Sequence, residues 1–103
     1  MVATCVGSLH KVTIRMAGAQ PTKQDVRTLD GHYEIVSLVG TLSQSGSHLH
    51  ISVSDENGLV FGGHLKEGSL VTTTAEVVVG YDDSIRFYRE LDQATGFDEL
   101  VVK

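Results

Sequence analysis

Several residue types are scarce in this sequence, and each shortage excludes a class of protein. Cys5 is the only cysteine among 103 residues, so no disulfide can form within the chain, and a disulfide-stapled secreted scaffold is excluded. No apolar run approaches the length needed to cross a bilayer, and the amino terminus lacks the charged start and apolar stretch of a signal peptide. We therefore expect a cytoplasmic protein that does not span a membrane.

Basic residues are also few. Eight lysines and arginines stand against thirteen aspartates and glutamates, which gives a formal net charge of −5. The basic residues are scattered singly along the chain and form no cluster. Because such a field repels the phosphate backbone, we do not expect the chain to bind duplex DNA unaided.

Helical periodicity is missing as well. Every window with apolar residues at three-and-four spacing fits an alternating pattern equally well. Val12 and Ile14 alternate with polar neighbours, and so do Ile85 and Phe87, which is typical of half-buried strands. Eleven glycines against one proline favour tight turns, and the turn signals predict six or seven strands in a single domain, residues 1–103.

Two segments, residues 34–42 and 75–81, are nearly continuous in apolar residues, and we interpret them as the central strands of the sheet. Such strands need cover on both faces, but the sequence predicts no helix to supply it. Either the sheet curls on itself or other copies of the chain cover it. We therefore expect a homo-oligomer.

The densest chemical signal is a strand-turn-strand pattern, SHLHISVSDENGLVFGGHL, that contains three of the five histidines. Side chains alternate along a strand, so His48 and His50 share one face, opposite the apolar Leu49 and Ile51. The face of His64 depends on the turn between the two strands.

Two turns are compatible with this segment. A two-residue Asn57-Gly58 turn would place His64 opposite Ile51, on the wrong face. A three-residue loop with Gly58 in the left-handed position would instead pair Asp55 with Leu59 and place His64 opposite His50. Asp55 at the start of the loop and glycine at its end favour the three-residue loop.

In that register three imidazoles can converge on one ion. Three neutral histidines with an open fourth position suit zinc first and other late transition metals next, with water, a small molecule or an anion in the opening. The sequence therefore predicts a metal site at His48, His50 and His64. Ordinary surface histidines remain the alternative, because there is no HExxH motif or cysteine pair to strengthen the pattern.

An enzyme is a second hypothesis. Glu34 and Glu76 lie within apolar strands, where a buried carboxylate would have a raised pKa suited to acid–base work. Either could assist a metal-dependent reaction on a small-molecule substrate. The more common role of such a carboxylate is to pair with arginine or backbone donors at an edge or interface.

Three blocks in this order, GHYEIVSLVGTLS, SHLHISVSDENGLVFGGHL and TTAEVVVG, resemble the PPC domain (plants and prokaryotes conserved, also DUF296). The resemblance implies an α+β fold around an antiparallel sheet, mostly β in this chain, assembled as a homotrimer. It also implies a metal on the HxH and GGH histidines, which are His48, His50 and His64 here. The chain has no AT-hook, so it resembles the stand-alone prokaryotic type, many members of which are labelled DNA-binding proteins.

Two departures from the family pattern limit what the resemblance implies. Plant members have arginine where this chain has His32 in GHYEIV, so plant-type partner contacts are not expected. Family members usually carry an extra strand and helix before the segment that matches CVGSL, and this chain starts almost at that segment. We therefore expect little helix and a binding or assembly module that holds a metal, with the metal-dependent enzyme as the alternative.

Overall fold

The computed structural model describes all 103 residues and consists of seven strands joined by turns and loops. This confirms the predicted number of strands. Their bounds are β1 (Val2–Arg15), β2 (Val26–Ser43), β3 (Gly46–Ser54), β4 (Val60–Leu65), β5 (Leu70–Val79), β6 (Phe87–Leu91) and β7 (Asp98–Val102).

The first four strands form a closed ring of antiparallel pairs. Strand β1 pairs with β2, β2 with β3, and β3 with β4. The ring closes where Ile14 pairs with Leu65 and Arg15 pairs with His64; we call these two pairs the β1–β4 seam. Strand β5 continues the sheet beside the earlier part of β1, and β6 and β7 form a separate hairpin. The sheet therefore curls on itself, one of the two solutions that the sequence left open.

The interior of the ring holds a small apolar core. Nine residues are buried, all of them apolar: Val2, Cys5, Leu9, Val12, Ile14, Ile35, Leu38, Ile51 and Val53. On β3 the buried Ile51 and Val53 alternate with more exposed neighbours, as the period-two pattern predicts. Cys5 is one of the core residues, and burial raises the pKa of its thiol, so it packs as a small apolar side chain.

The prediction of a mostly β chain around an antiparallel sheet is confirmed, whereas the α+β class implied by the family resemblance is wrong for this chain. No helix forms, and the fold is an all-β antiparallel one. The physical reason lies in the sequence, where apolar residues either alternate with polar ones or form short continuous runs, and no window favours a helix over a strand. Consequently no helix is long and apolar enough to cross a membrane.

The placement of the 75–81 segment at the centre of the sheet is also wrong. Strand β5 lies at an edge of the sheet and pairs only with β1. Its valines are left in solvent, with Val77 46% and Val78 56% exposed. The apolar run thus lacks cover within the chain, which is the situation that favours cover by a second copy of the chain.

Candidate metal centre

The turn between β3 and β4 is the three-residue loop that the sequence favoured. The Asp55 N–H donates to the Leu59 carbonyl at 2.9 Å, and the Gly58 N–H donates to the Asp55 carbonyl at 3.1 Å. Gly58 has φ of 78°, the left-handed position, which costs glycine little. The Asp55 carboxylate accepts the N–H groups of Asn57 and Leu59, both at 2.9 Å, and so holds the loop in shape.

This loop sets the register of the two strands. His50 lies directly opposite His64, and Ser54 opposite Val60. His48 stands two residues before His50 on the same face of β3. The three side chains therefore meet, as predicted, and we call them the histidine cluster.

The three side chains of the histidine cluster lie close enough together to hold one metal ion. One ring nitrogen from each side chain lies within 4.8 Å of the other two. The Nε2 atoms of His48 and His50 are 3.2 Å apart. Zn–N bonds of about 2.0–2.1 Å place two tetrahedral ligands about 3.3–3.4 Å apart, so this pair already has the spacing of neighbouring ligands.

The β1–β4 seam positions the third histidine. Gly63 lies beside it, and a Cβ at that residue would stand 2.7 Å from the Arg15 carbonyl oxygen and 3.1 Å from Cγ2 of Ile14. Glycine is thus required for the two strands to approach this closely. Across the β1–β4 seam, Nη2 of Arg15 lies 3.4 Å from Nδ1 of His64.

The electrostatic surroundings favour neutral imidazoles. Burial, and then the Arg15 guanidinium, lower the pKa of His64 to about 4. Burial, and then the Arg89 guanidinium, lower the pKa of His48 as well. Both side chains are therefore neutral at physiological pH, which is the form that binds a metal ion.

A cavity of about 310 Å³ opens beside the histidine cluster, and it is walled by the β1–β4 seam, the turn before β3 and the β6–β7 hairpin. A hydrogen bond of 2.6 Å from the Arg89 N–H to Oγ of Ser45 ties the hairpin to that turn. Phe97 is the only apolar residue of the lining. We call this cavity the arginine cleft, after Arg15 and Arg89 in its wall.

Sequence reasoning missed the arginine cleft. Arg15, Arg89 and Glu99 are each isolated among other residue types, and their meeting depends on pairings far apart in the chain. The one local signal for the cleft was Arg15, which stands at the end of a strand that the alternating pattern predicts.

The two carboxylates considered from the sequence lie elsewhere. Glu34 pairs across the sheet with Ser8 and Ser54 and lines a different cavity, with His32 and Glu56. Glu76 lies on β5 opposite Val6, on the far side of β1 from the ring. Both are exposed, and neither lines the arginine cleft. The acidic residues that line the arginine cleft are instead Asp98 and Glu99.

Comparison with known families agrees with this fold. Residues 1–81 match the model of the Plants and Prokaryotes Conserved (PCC) domain. The chain belongs to the PCC domain family. The PPC resemblance inferred from the sequence blocks is thereby confirmed, since the two abbreviations denote the same domain.

Relatives of this PCC domain occur both as part of longer proteins and in solved structures. The bifunctional protein GlmU of Synechococcus sp. (strain JA-2-3B'a(2-13)) is 40% identical over 102 residues, which are 99% of this chain but 16% of that protein. The chain therefore spans about one sixth of the length of this curated relative. A hypothetical protein from Salmonella cholerae-suis (Salmonella enterica) is also 40% identical, with a TM-score of 0.89 and with 99% of this chain and 71% of that chain covered.

Two further solved structures share the fold at lower identity. A candidate DNA-binding protein from Bacteroides thetaiotaomicron is 25% identical with a TM-score of 0.77, over 95% of this chain and 70% of its own. A metal-containing protein from Archaeoglobus fulgidus is 24% identical with a TM-score of 0.69, over 95% of this chain and 71% of its own.

Proposed function

We propose that this single PCC domain is a metal-binding, homotrimeric binding and assembly module. The observation that carries the metal half is the meeting of His48, His50 and His64, with one ring nitrogen of each within 4.8 Å of the others. Three neutral imidazoles leave the fourth position of a tetrahedral ion open to water, an anion or a small molecule.

The donor set favours zinc among the late transition metals. Imidazole nitrogens suit zinc, copper, iron and nickel, and zinc most often takes a tetrahedral arrangement with such ligands. The Archaeoglobus fulgidus protein of the same fold is named as metal-containing, which supports a metal in this fold. When bound, the ion would polarise whatever oxygen occupied its open position.

Metal analysis of the purified protein tests the site. We expect one zinc per chain in the wild type after dialysis, and almost none in His50→Ala. His32→Ala is the matched control, because His32 is exposed and lies outside the histidine cluster. Equal zinc content in the wild type and His50→Ala would show that these histidines do not hold the metal.

The assembly half of the proposal rests on apolar surface that the chain leaves in solvent. Only nine of 103 residues are buried, while Val6 is 63% exposed and Val78 56% exposed on the neighbouring strands β1 and β5. A monomeric protein seldom exposes such a surface, so copies of this chain are the simplest cover. The three-fold form comes from the family resemblance.

Light scattering coupled to gel filtration tests this assembly. We expect a mass of three chains for the wild type and a smaller mass for Val78→Lys. Val102→Lys is the control, because Val102 is equally exposed, at 56%, but lies on the separate β6–β7 hairpin. A wild type with the mass of one chain would overturn the trimer.

DNA binding is not part of the proposed function. A Bacteroides thetaiotaomicron protein of this fold is named as a candidate for it, but the net charge of −5 opposes binding to a polyanion. Binding of duplex DNA at low salt that weakened steeply as the salt concentration was raised would show that the chain does bind DNA.

The arginine cleft favours one second candidate function, a metal-dependent enzyme that acts on a small molecule. Because the exposed Glu34 and Glu76 do not line this cleft, Glu99 is the better candidate for an acid–base group. Turnover of simple aryl ester or phosphoester substrates, lost in both His50→Ala and Glu99→Gln, would support it. Turnover unchanged in these variants would reject it.

A further inference from the structure

Two half-buried arginines line the arginine cleft without a carboxylate partner. The ion pairs of this chain are Arg27 with Asp25 and Lys103 with Glu90, and neither involves the cleft. Arg15 and Arg89 are both partly buried. A guanidinium that is partly removed from water and lacks a counter-ion is a ready site for an oxyanion.

The nearby carboxylate groups do not form ion pairs with these two arginines. Glu99 belongs to the cleft lining, but its Oε1 accepts a hydrogen bond from Oγ1 of Thr95 at 3.1 Å and forms no ion pair. Arg89 uses Nη2 to donate to the backbone carbonyl of Asp98, not to a carboxylate. The guanidinium of Arg15 rests over the Phe97 ring, 5.1 Å from its centroid.

Formal charge in the cleft points the same way. Two arginines balance Asp98 and Glu99, so with neutral histidines the lining has no net charge. A divalent ion in the histidine cluster would raise this to +2, in a cavity with one apolar residue in its wall. That charge is matched by a small molecule with one or two anionic groups.

The contact between Arg15 and His64 links the two sites. Arginine can only donate, so Nδ1 of His64 must accept in the 3.4 Å contact. If Nδ1 becomes a metal ligand, its lone pair is no longer available to Arg15. If Nε2 becomes the ligand, the ring proton moves to Nδ1, which then cannot accept. In either case the Arg15 donor becomes free to bind another acceptor.

We propose that the arginine cleft binds a small carboxylate or phosphate, with one oxygen towards the open position beside the histidine cluster and the anionic charge held by Arg15 and Arg89. This proposal rests on the proposed metal site and names the class of ligand for it. The cavity of about 310 Å³ has the size of a site for a small metabolite, not for a polymer. Loading the metal and binding the anion then favour each other.

Calorimetric titration of inorganic phosphate and of malonate, as separate arms, tests the proposal. The zinc-loaded wild type should bind at least one of them, and which arm binds more tightly identifies the anion class. We expect affinity to fall about tenfold or more in Arg89→Gln and in Arg15→Gln, because each loses a charge-assisted hydrogen bond. Arg27→Gln removes the same charge from an exposed position outside the cleft and should bind like the wild type.

Two further readouts separate this proposal from the metal site. Zinc content, measured for each variant, should stay at one per chain in Arg89→Gln, so that lost anion binding is not lost metal. In cobalt-substituted protein, the visible spectrum should change when the anion is added, because an oxygen enters the metal's coordination shell.

The outcomes are distinguishable. Zinc-loaded protein that binds neither anion, or binds equally in Arg89→Gln and Arg27→Gln, overturns the arginine cleft while the metal site stands. Protein that holds no zinc overturns the metal site. The same anion titration on the zinc-free protein then tests whether the arginines bind an anion without a metal. Loss of anion binding in Arg89→Gln supports the arginine cleft as an anion site, and no loss overturns it.

Discussion

Arg15 and His64 are paired across the β1–β4 seam, with Nη2 of the arginine 3.4 Å from Nδ1 of the histidine. These residues are 49 positions apart in the sequence. The pairing closes the ring of strands and also brings a cationic side chain against the third histidine. Closure of the ring therefore adds Arg15 to the site that the β3–β4 hairpin builds.

Zinc should stabilise the folded protein through the histidine cluster. An ion that binds only the native state, present at a free concentration about one hundred times its Kd, adds about 2.7 kcal/mol to the free energy of unfolding. We expect thermal denaturation to show a raised Tm for the wild type and no rise for His48→Ala. His10→Ala, altered at an exposed histidine outside the cluster, should respond like the wild type. A zinc response retained in His48→Ala would contradict the site.

Stability of the metal-free protein should fall as the pH is lowered from about 6.5 towards 4. The pKa of His64 is about 4 in the folded protein, against an ordinary value of 6.5. Below pH 6.5 the unfolded chain therefore takes up a proton that the folded chain resists, and the free energy of unfolding decreases until the folded histidine also titrates.

Urea unfolding from pH 7.5 to 4.5 measures this dependence. His64→Gln should lose part of the pH dependence, whereas His10→Gln should keep it. The same slope in His64→Gln and the wild type would show that His64 does not cause the effect.

Gly58→Ala should destabilise the protein through the backbone alone. A Cβ at Gly58 meets nothing within 4 Å, but φ is 78°, where an L side chain costs about 1–2 kcal/mol. Gly58→Asn should cost less, because asparagine tolerates this conformation better. Urea unfolding gives both values, and equal stability of all three proteins would mean that the loop adopts another conformation.

Gly63→Ala should open the β1–β4 seam. The added methyl group would stand 2.7 Å from the Arg15 carbonyl oxygen, so the strands must separate. We expect a loss of about 1–3 kcal/mol in the free energy of unfolding, together with weaker zinc binding as His64 moves. Gly80→Ala is the control, since a Cβ there makes only an ordinary contact of 3.5 Å with Met1. Wild-type zinc affinity in Gly63→Ala would show that closure of the ring does not position the third histidine.

Much of the candidate site was readable from the sequence because its determinants are local. Alternation of side chains puts His48 and His50 on one face, and the Asp55 and Gly58 preferences select a loop that brings His64 opposite His50. The α+β class implied by the family resemblance was wrong, whereas the period-two pattern correctly indicated a mostly β chain. The apolar run at residues 75–81 wrongly predicted a central position for β5. Such a run does not reveal whether its cover comes from the same chain or from another copy.

The sequence by itself determined the strands, the three-residue loop and the shared face of three histidines, since each depends on φ, ψ and side-chain alternation within a few residues. Only the tertiary structure decided that β1 returns to β4, that the β6–β7 hairpin walls the cavity, and that Arg15 and Arg89 stand there. Those contacts join residues tens of positions apart, and they depend on how the whole chain closes around Val12, Ile14 and Val53.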